Sequence, residues 1–130
     1  MTPARAILIV DDDPEILDMT STLLRSAGYQ VFESRNGDEA LAELRRGRPA
    51  LVLLDISMPG MNGWEVLRLV KEDEETTHVP VVMFSVNYEI REKLHALQQG
   101  AVDYVTKPFD TEGLLRRIGE IIGAPAADRS

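Results

Sequence analysis

The chain has 130 residues, a length that suits one domain able to bury roughly two thirds of the surface its unfolded form exposes, without a staple. It has no cysteine, which excludes a disulfide framework and a thiolate zinc site and fits most easily in a reducing cytoplasm. Fourteen Lys and Arg against 22 Asp and Glu give a net charge of -8, which argues against direct binding to nucleic acid or an anionic membrane but leaves a basic protein partner open.

In chain order, Met1 to Ala6 lacks the charged-then-apolar build of a signal peptide. No apolar run approaches bilayer-spanning length, so a soluble, cytoplasmic protein is expected. Strands are predicted over Ala6–Val10, Gln30–Ser34, Leu51–Leu54, Val81–Ser85 and Val102–Val105. The first and third are apolar throughout instead of alternating, the pattern of central parallel strands covered on both faces. Between and after the strands run helical patterns. Ile16, Thr20, Leu23, Leu24 and Ala27 repeat at helical spacing, as do Leu114, Leu115, Ile118, Ile121 and Ile122. Weaker patterns cover Asp38–Arg46, Trp64–Asp73 and Glu89–Gln99. Asp13 before Pro14 makes an N-cap, Gly28 a stop, and Asp110 a cap for the last helix. Alternation of strand and helix predicts an α/β, doubly wound, five-stranded parallel sheet with five helices. One domain is expected over 1–123, with a flexible C-terminal tail over 124–130.

In such a fold ligands sit outside the carboxyl ends of the strands, so the residues after each strand matter most. The first strand delivers Asp11, Asp12 and Asp13, and the third delivers Asp55, Ile56 and Ser57 with the loop Met58-Pro59-Gly60-Met61-Asn62-Gly63. The fourth delivers Ser85 and the fifth Lys107-Pro108. Carboxylates gathered from two neighbouring strands raise at least one pKa unless a cation joins them. Oxygen ligands in this number, with room for water and a phosphate, favour Mg2+ over calcium. Lys107 offers a charge for phosphoryl oxygens, Ser85 a hydroxyl donor, and Asp55 a carboxylate nucleophile whose acyl phosphate would be transient.

Together these residues resemble the receiver domain of two-component response regulators: Asp11-Asp12, Asp55 with Met58-Pro59 and Gly63, Ser85, and Lys107-Pro108-Phe109, in order and each after a predicted strand. The likeness covers essentially the entire chain. It implies the flavodoxin-like strand order 2-1-3-4-5, carried over from the family. It also implies that Asp12, Asp55 and the backbone carbonyl of Ser57 bind Mg2+ directly, with Asp11 holding a metal-bound water. Asp55 would take a phosphoryl group from a phosphohistidine on a sensor histidine kinase or phosphotransfer protein. The chain would act as a switch, catalysing only its own phosphorylation and dephosphorylation. Ser85 would then move to the phosphoryl group, Tyr104 would swing inward, and the face of the fourth helix, fifth strand and fifth helix would change its partner preference. Such a protein is a monomer or a phosphorylation-dependent dimer. A cis bond before Pro108 is implied too. Ser57 and Asn87 stand where the family tunes hydrolysis of the acyl phosphate. Val86 departs from the usual small residue and is expected to narrow access to Asp55.

Blander roles fit several residues. Asp13 is a helix cap, Trp64 packs on a helix face, and His78 and His95 are surface residues without metal spacing. Three rival functions share parts of this pattern. An aspartate-nucleophile phosphohydrolase using Asp11 and Asp13 leaves Asp55 unexplained. A flavin carrier would set its phosphate against three carboxylates. A receiver-like interaction module that works without phosphorylation has only Val86 in its favour.

Overall fold

The structure is a computed structural model that describes residues 5–87 and 89–125. Strands and helices alternate: β1 (Ala6–Val10), α1 (Pro14–Ser26), β2 (Gln30–Ser34), α2 (Gly37–Gly47), β3 (Leu51–Asp55), α3 (Gly63–Glu72), β4 (Val81–Ser85), α4 (Ile90–Gln98), β5 (Asp103–Thr106) and α5 (Thr111–Ile122). All neighbours pair in parallel, in the order β2-β1-β3-β4-β5. The expected architecture and strand order are therefore present. β3 runs one residue further than expected, because Asp55 pairs with Phe84, and β5 is shifted by one residue, from the expected Val102–Val105 to Asp103–Thr106, because Thr106 pairs with Ser85 while Val102 lies before the strand.

The unbroken apolar runs of β1 and β3 are explained by cover on both faces. Ile7, Ile9, Leu51 and Leu53 point to a core built with Leu17 and Leu24 of α1 and Leu114 and Ile118 of α5. Leu8, Val10, Val52 and Leu54 point the other way, to Ala40 and Leu44 of α2, Val66, Leu67 and Val70 of α3, and Ala96 of α4. Successive side chains of a strand face opposite ways, so a strand between two helical layers has no polar side to offer. Each such Leu or Ile, fully removed from water, contributes roughly 1.5–3 kcal/mol before entropy is counted.

Helix starts follow the sequence chemistry. Asp13 and Asp110 accept hydrogen bonds from the backbone of Glu15 and Gly113, and Pro14 opens α1. Gly28, at φ 104, turns the chain away after α1. Asn36 and Asn62, which apolar periodicity does not single out, cap α2 and α3 in the same way. Beyond α5, Arg5 donates to the carbonyl of Ala124 (3.1 Å) and the Tyr29 hydroxyl to that of Gly123 (3.1 Å). The first residues past the helix are thus held against the start of β1 and the α1–β2 turn. The remainder of the expected tail, 126–130, lies outside the described residues. Among the described residues, no helix is long and apolar enough to cross a membrane.

Candidate functional site

The strand order reverses between β1 and β3, and the acids stand at their carboxyl ends. Asp11 follows β1 directly, its amide donating to the carbonyl of Ser34 on β2 (3.1 Å). Its side chain accepts from the amide of Asp13 (3.0 Å), which holds the carboxylate in place. Asp11 is almost wholly buried whereas Asp12 is exposed. Asp55 closes β3 and is only 5% exposed. Carboxylate oxygens of Asp11, Asp12 and Asp55 all lie within 4.8 Å of one another. Asp13 lines the cleft that these acids share, and its side chain caps α1 by accepting from the amide of Glu15 (3.0 Å).

Into this cluster comes Lys107 from the loop after β5. Its backbone amide donates to the carbonyl of Ser85 (2.7 Å), and the bond to Pro108 is cis, as the resemblance implies. Its Nζ lies 2.8 Å from Asp11 Oδ2 and 3.2 Å from Asp55 Oδ1. Burial pushes the Asp55 carboxyl up, and the neighbouring Asp11 adds to the push. Lys107 opposes both, and the result is a pKa of about 6 in place of 3.8. Burial by itself would lower the Lys107 ammonium, but hydrogen bonds and charge from Asp11 and Asp55 overcome that loss and leave it raised. Without a metal, one lysine neutralises two buried acids, and an excess of negative charge remains.

The loop after β3 bends sharply enough for α3 to begin beside the site. The amide of Gly63 donates to the carbonyl of Ile56 (2.8 Å). A Cβ at Gly63 would stand 2.4 Å from the carbonyl oxygen of Asp55 and 2.7 Å from the Cα of Ile56, so only glycine fits. Asp11, Asp12, Asp55, Ser57, Ser85 and Lys107 share one cleft of about 280 Å³, which suits a hydrated cation with a phosphoryl group. The sequence expectation that they meet is met in full. Val86 lines the same cleft and is 70% exposed.

Tyr104 is not in the cleft. It lines a separate groove of about 440 Å³ between β5 and α5 and is buried. Its hydroxyl donates to the carbonyl of Asn87 (2.8 Å), while the amide of Asn87 donates to Ser85 Oγ (3.0 Å). Asn87 therefore joins the two residues expected to switch. The sequence marked this asparagine only for its place near the site, because a backbone carbonyl leaves no trace in residue type. His78 and His95 are exposed and outside the cleft, and His95 meets the ring of Trp64 edge-on at 4.6 Å.

Comparison with known proteins agrees with this geometry. The model of the response regulator receiver domain matches residues 7–119. Protein PilH of Pseudomonas aeruginosa is 39% identical over 116 residues, covering 89% of this chain and 96% of that protein. The phosphate regulon transcriptional regulatory protein PhoB of the same organism is 38% identical over 118 residues, covering 91% of this chain but 52% of its own length. The chain thus spans nearly all of PilH and about half of PhoB. Among solved structures, the chemotaxis protein CheY4 of Vibrio cholerae superposes with a TM-score of 0.86 at 30% identity, covering 92% of this chain and 99% of that one. The BeF3-activated N-terminal receiver domain of RstA from Klebsiella pneumoniae superposes with a TM-score of 0.84 at 29% identity, covering 91% and 98%. Fold, cleft and comparisons converge, and the chain belongs to the response regulator receiver domains of two-component signal transduction.

Proposed function

We propose that Asp55 is the phosphoacceptor of this receiver domain and that the chain changes its partner binding when Asp55 is phosphorylated. The observation that carries the assignment is the convergence of three carboxylates within 4.8 Å, with the Lys107 ammonium 3.2 Å from Asp55. Asp11, Asp12, Asp55 and the backbone carbonyl of Ser57 are the groups that would hold Mg2+, and their oxygen-only chemistry and surplus negative charge suit that ion. The ion supplies charge neutralisation for a transferring phosphoryl group.

The residues of the chain do the rest. An Asp55 carboxylate oxygen attacks the phosphorus of a phosphohistidine on a sensor kinase or phosphotransfer protein. The P–N bond breaks, and its electron pair leaves with the imidazole. Lys107, already oriented by Asp11, places its charge beside the phosphoryl oxygens, and Ser85 donates its hydroxyl to one of them. Moving the Ser85 hydroxyl removes the acceptor that now holds the Asn87 amide, and Asn87 in turn holds Tyr104. A charge event at Asp55 is thereby passed to the face of α4, β5 and α5, where an output partner docks. Tyr104 is the second member of that switch, and the cytoplasm is its setting. The chain acts as a receiver whose only catalysis is on its own Asp55.

Incubation with acetyl phosphate and magnesium followed by mass spectrometry tests the assignment. One phosphoryl group is expected on the wild-type chain and none on Asp55→Asn. Equal labelling of the two overturns the assignment to Asp55, and a wild-type chain that takes no phosphoryl group favours an interaction module that works without phosphorylation.

A further inference from the structure

The β3–α3 loop, which carries Ser57, is seated on a helix from another part of the chain. Gly37 opens α2 and is buried. A Cβ built there would lie 2.7 Å from Met61 Sδ, 2.9 Å from Val66 Cγ2 and 3.0 Å from Met61 Cβ. The thioether could swing aside at small cost. Val66 Cγ2 belongs to a short branched side chain that is fully buried on α3, and Met61 Cβ moves only with the loop backbone. Nothing in the backbone asks for glycine at this place. Gly37 is not among the residues of positive φ, and helix propensity alone favours alanine. Space for Met61 is what the glycine provides.

Met61 and Met58 both pack against the core cluster that holds α2 and α3. The loop is therefore fixed at its far end by Gly63 against the Asp55 carbonyl and, short of that end, by Met61 on Gly37. We infer that Gly37 and Met61 form a positioning pair for the phosphoacceptor site, in which the bare backbone of α2 receives Met61 and so fixes the loop that presents the Ser57 carbonyl. The pair rests on the assignment of Asp55 and Ser57 as magnesium ligands. Neither residue touches the ion. They act through the loop.

Magnesium affinity of the intact chain, measured by titration calorimetry, tests the pair beside thermal unfolding in EDTA. Gly37→Ala is expected to weaken magnesium binding roughly tenfold, the lower range for residues that support metal ligands. Met61→Ala alone is expected to weaken it by a few-fold, because the seat is empty. Gly37→Ala/Met61→Ala keeps the contacts of the new methyl with Val66 Cγ2 and with the Cβ of residue 61, so it is expected to bind magnesium no more weakly than Gly37→Ala, the loop being already displaced. Unchanged affinity in Gly37→Ala, or losses that simply add in the double variant, overturns the pair. Should Gly37→Ala fail to fold, Met61→Ala decides, and wild-type affinity in that variant overturns the pair as well. A wild-type chain that binds no magnesium, or an Asp55→Asn chain that binds it equally, overturns the site assignment itself and is distinguishable from either result.

Discussion

Asp11 and Asp55 are both buried and share the single ammonium of Lys107. Their mutual repulsion is visible in the Asp55 carboxyl, held at about 6 by burial first and by Asp11 second. Its sign for stability follows from proton binding. An acid whose pKa is higher folded than unfolded keeps a proton that the unfolded chain has released. Stability therefore falls as pH rises between 3.8 and about 6. In EDTA at neutral pH, Asp55→Asn is expected to be more stable than the wild type by on the order of 2–3 kcal/mol, with the gap closing toward pH 4. Urea unfolding across that range measures it, and parallel curves for the two proteins would contradict it. The acids after the first and third apolar strands were legible in the residues, and the strand order implied by the family resemblance brings them together. That Lys107 stands between Asp11 and Asp55 was not, because it depends on the course of the loop after β5.

At the scale of elements, four helices begin with a side-chain cap, from Asp13, Asn36, Asn62 and Asp110. α4 begins at Glu89 with no side-chain cap bond. It buries only Ala96 and exposes Ile90, Leu94 and Leu97. A helix with one buried residue and an open start is the least anchored of the five, which suits the part proposed for its face in the switch. Asn62→Ala is expected to cost about 1 kcal/mol, whereas Glu89→Ser should add roughly 0.5–1 kcal/mol by supplying the missing acceptor. Chemical unfolding of the two variants checks both directions, and a loss of stability in Glu89→Ser would count against the capping account. The aspartate caps were readable because each stands just before a strong helical pattern, at Pro14 and before Leu114. Asn36 and Asn62 precede glycines in stretches of weaker periodicity, where a loop reads equally well.

Across the whole molecule, the central strands carry the fold and the face of α4 does not. Leu53 lies at 0% exposure under α1 and α5, while Leu94 is 54% exposed on α4. Leu53→Ala is expected to lose 2–5 kcal/mol, of the order seen for core leucines elsewhere, and Leu94→Ala to stay within about 0.5 kcal/mol of the wild type. Comparable losses at the two positions would mean that the outer face of α4 is packed in solution. The same layering explains why the site can be open and still rigid. Asp55 ends β3 and Asp11 follows β1, strands whose side chains from Ile7 to Val10 and from Leu51 to Leu54 are locked in one of two cores, and the cleft forms where the sheet order reverses.

What the sequence determined by itself was the succession of strands and helices and the group of residues that would gather at the strand ends. Both follow from local periodicity and from the two-sided burial that an unbroken apolar strand demands. Tertiary structure alone decided how deeply each acid sits, so that adjacent Asp11 and Asp12 are buried and exposed respectively. It also extended β3 through the polar Asp55 and shifted β5 to end at Thr106, because pairing is set by the neighbouring strand and not by a residue's own apolarity. The seats for Gly63 against Asp55 and for Met61 on Gly37 were decided there as well. Distances between residues remote in the chain fix these features, and residue type carries no measure of such distances.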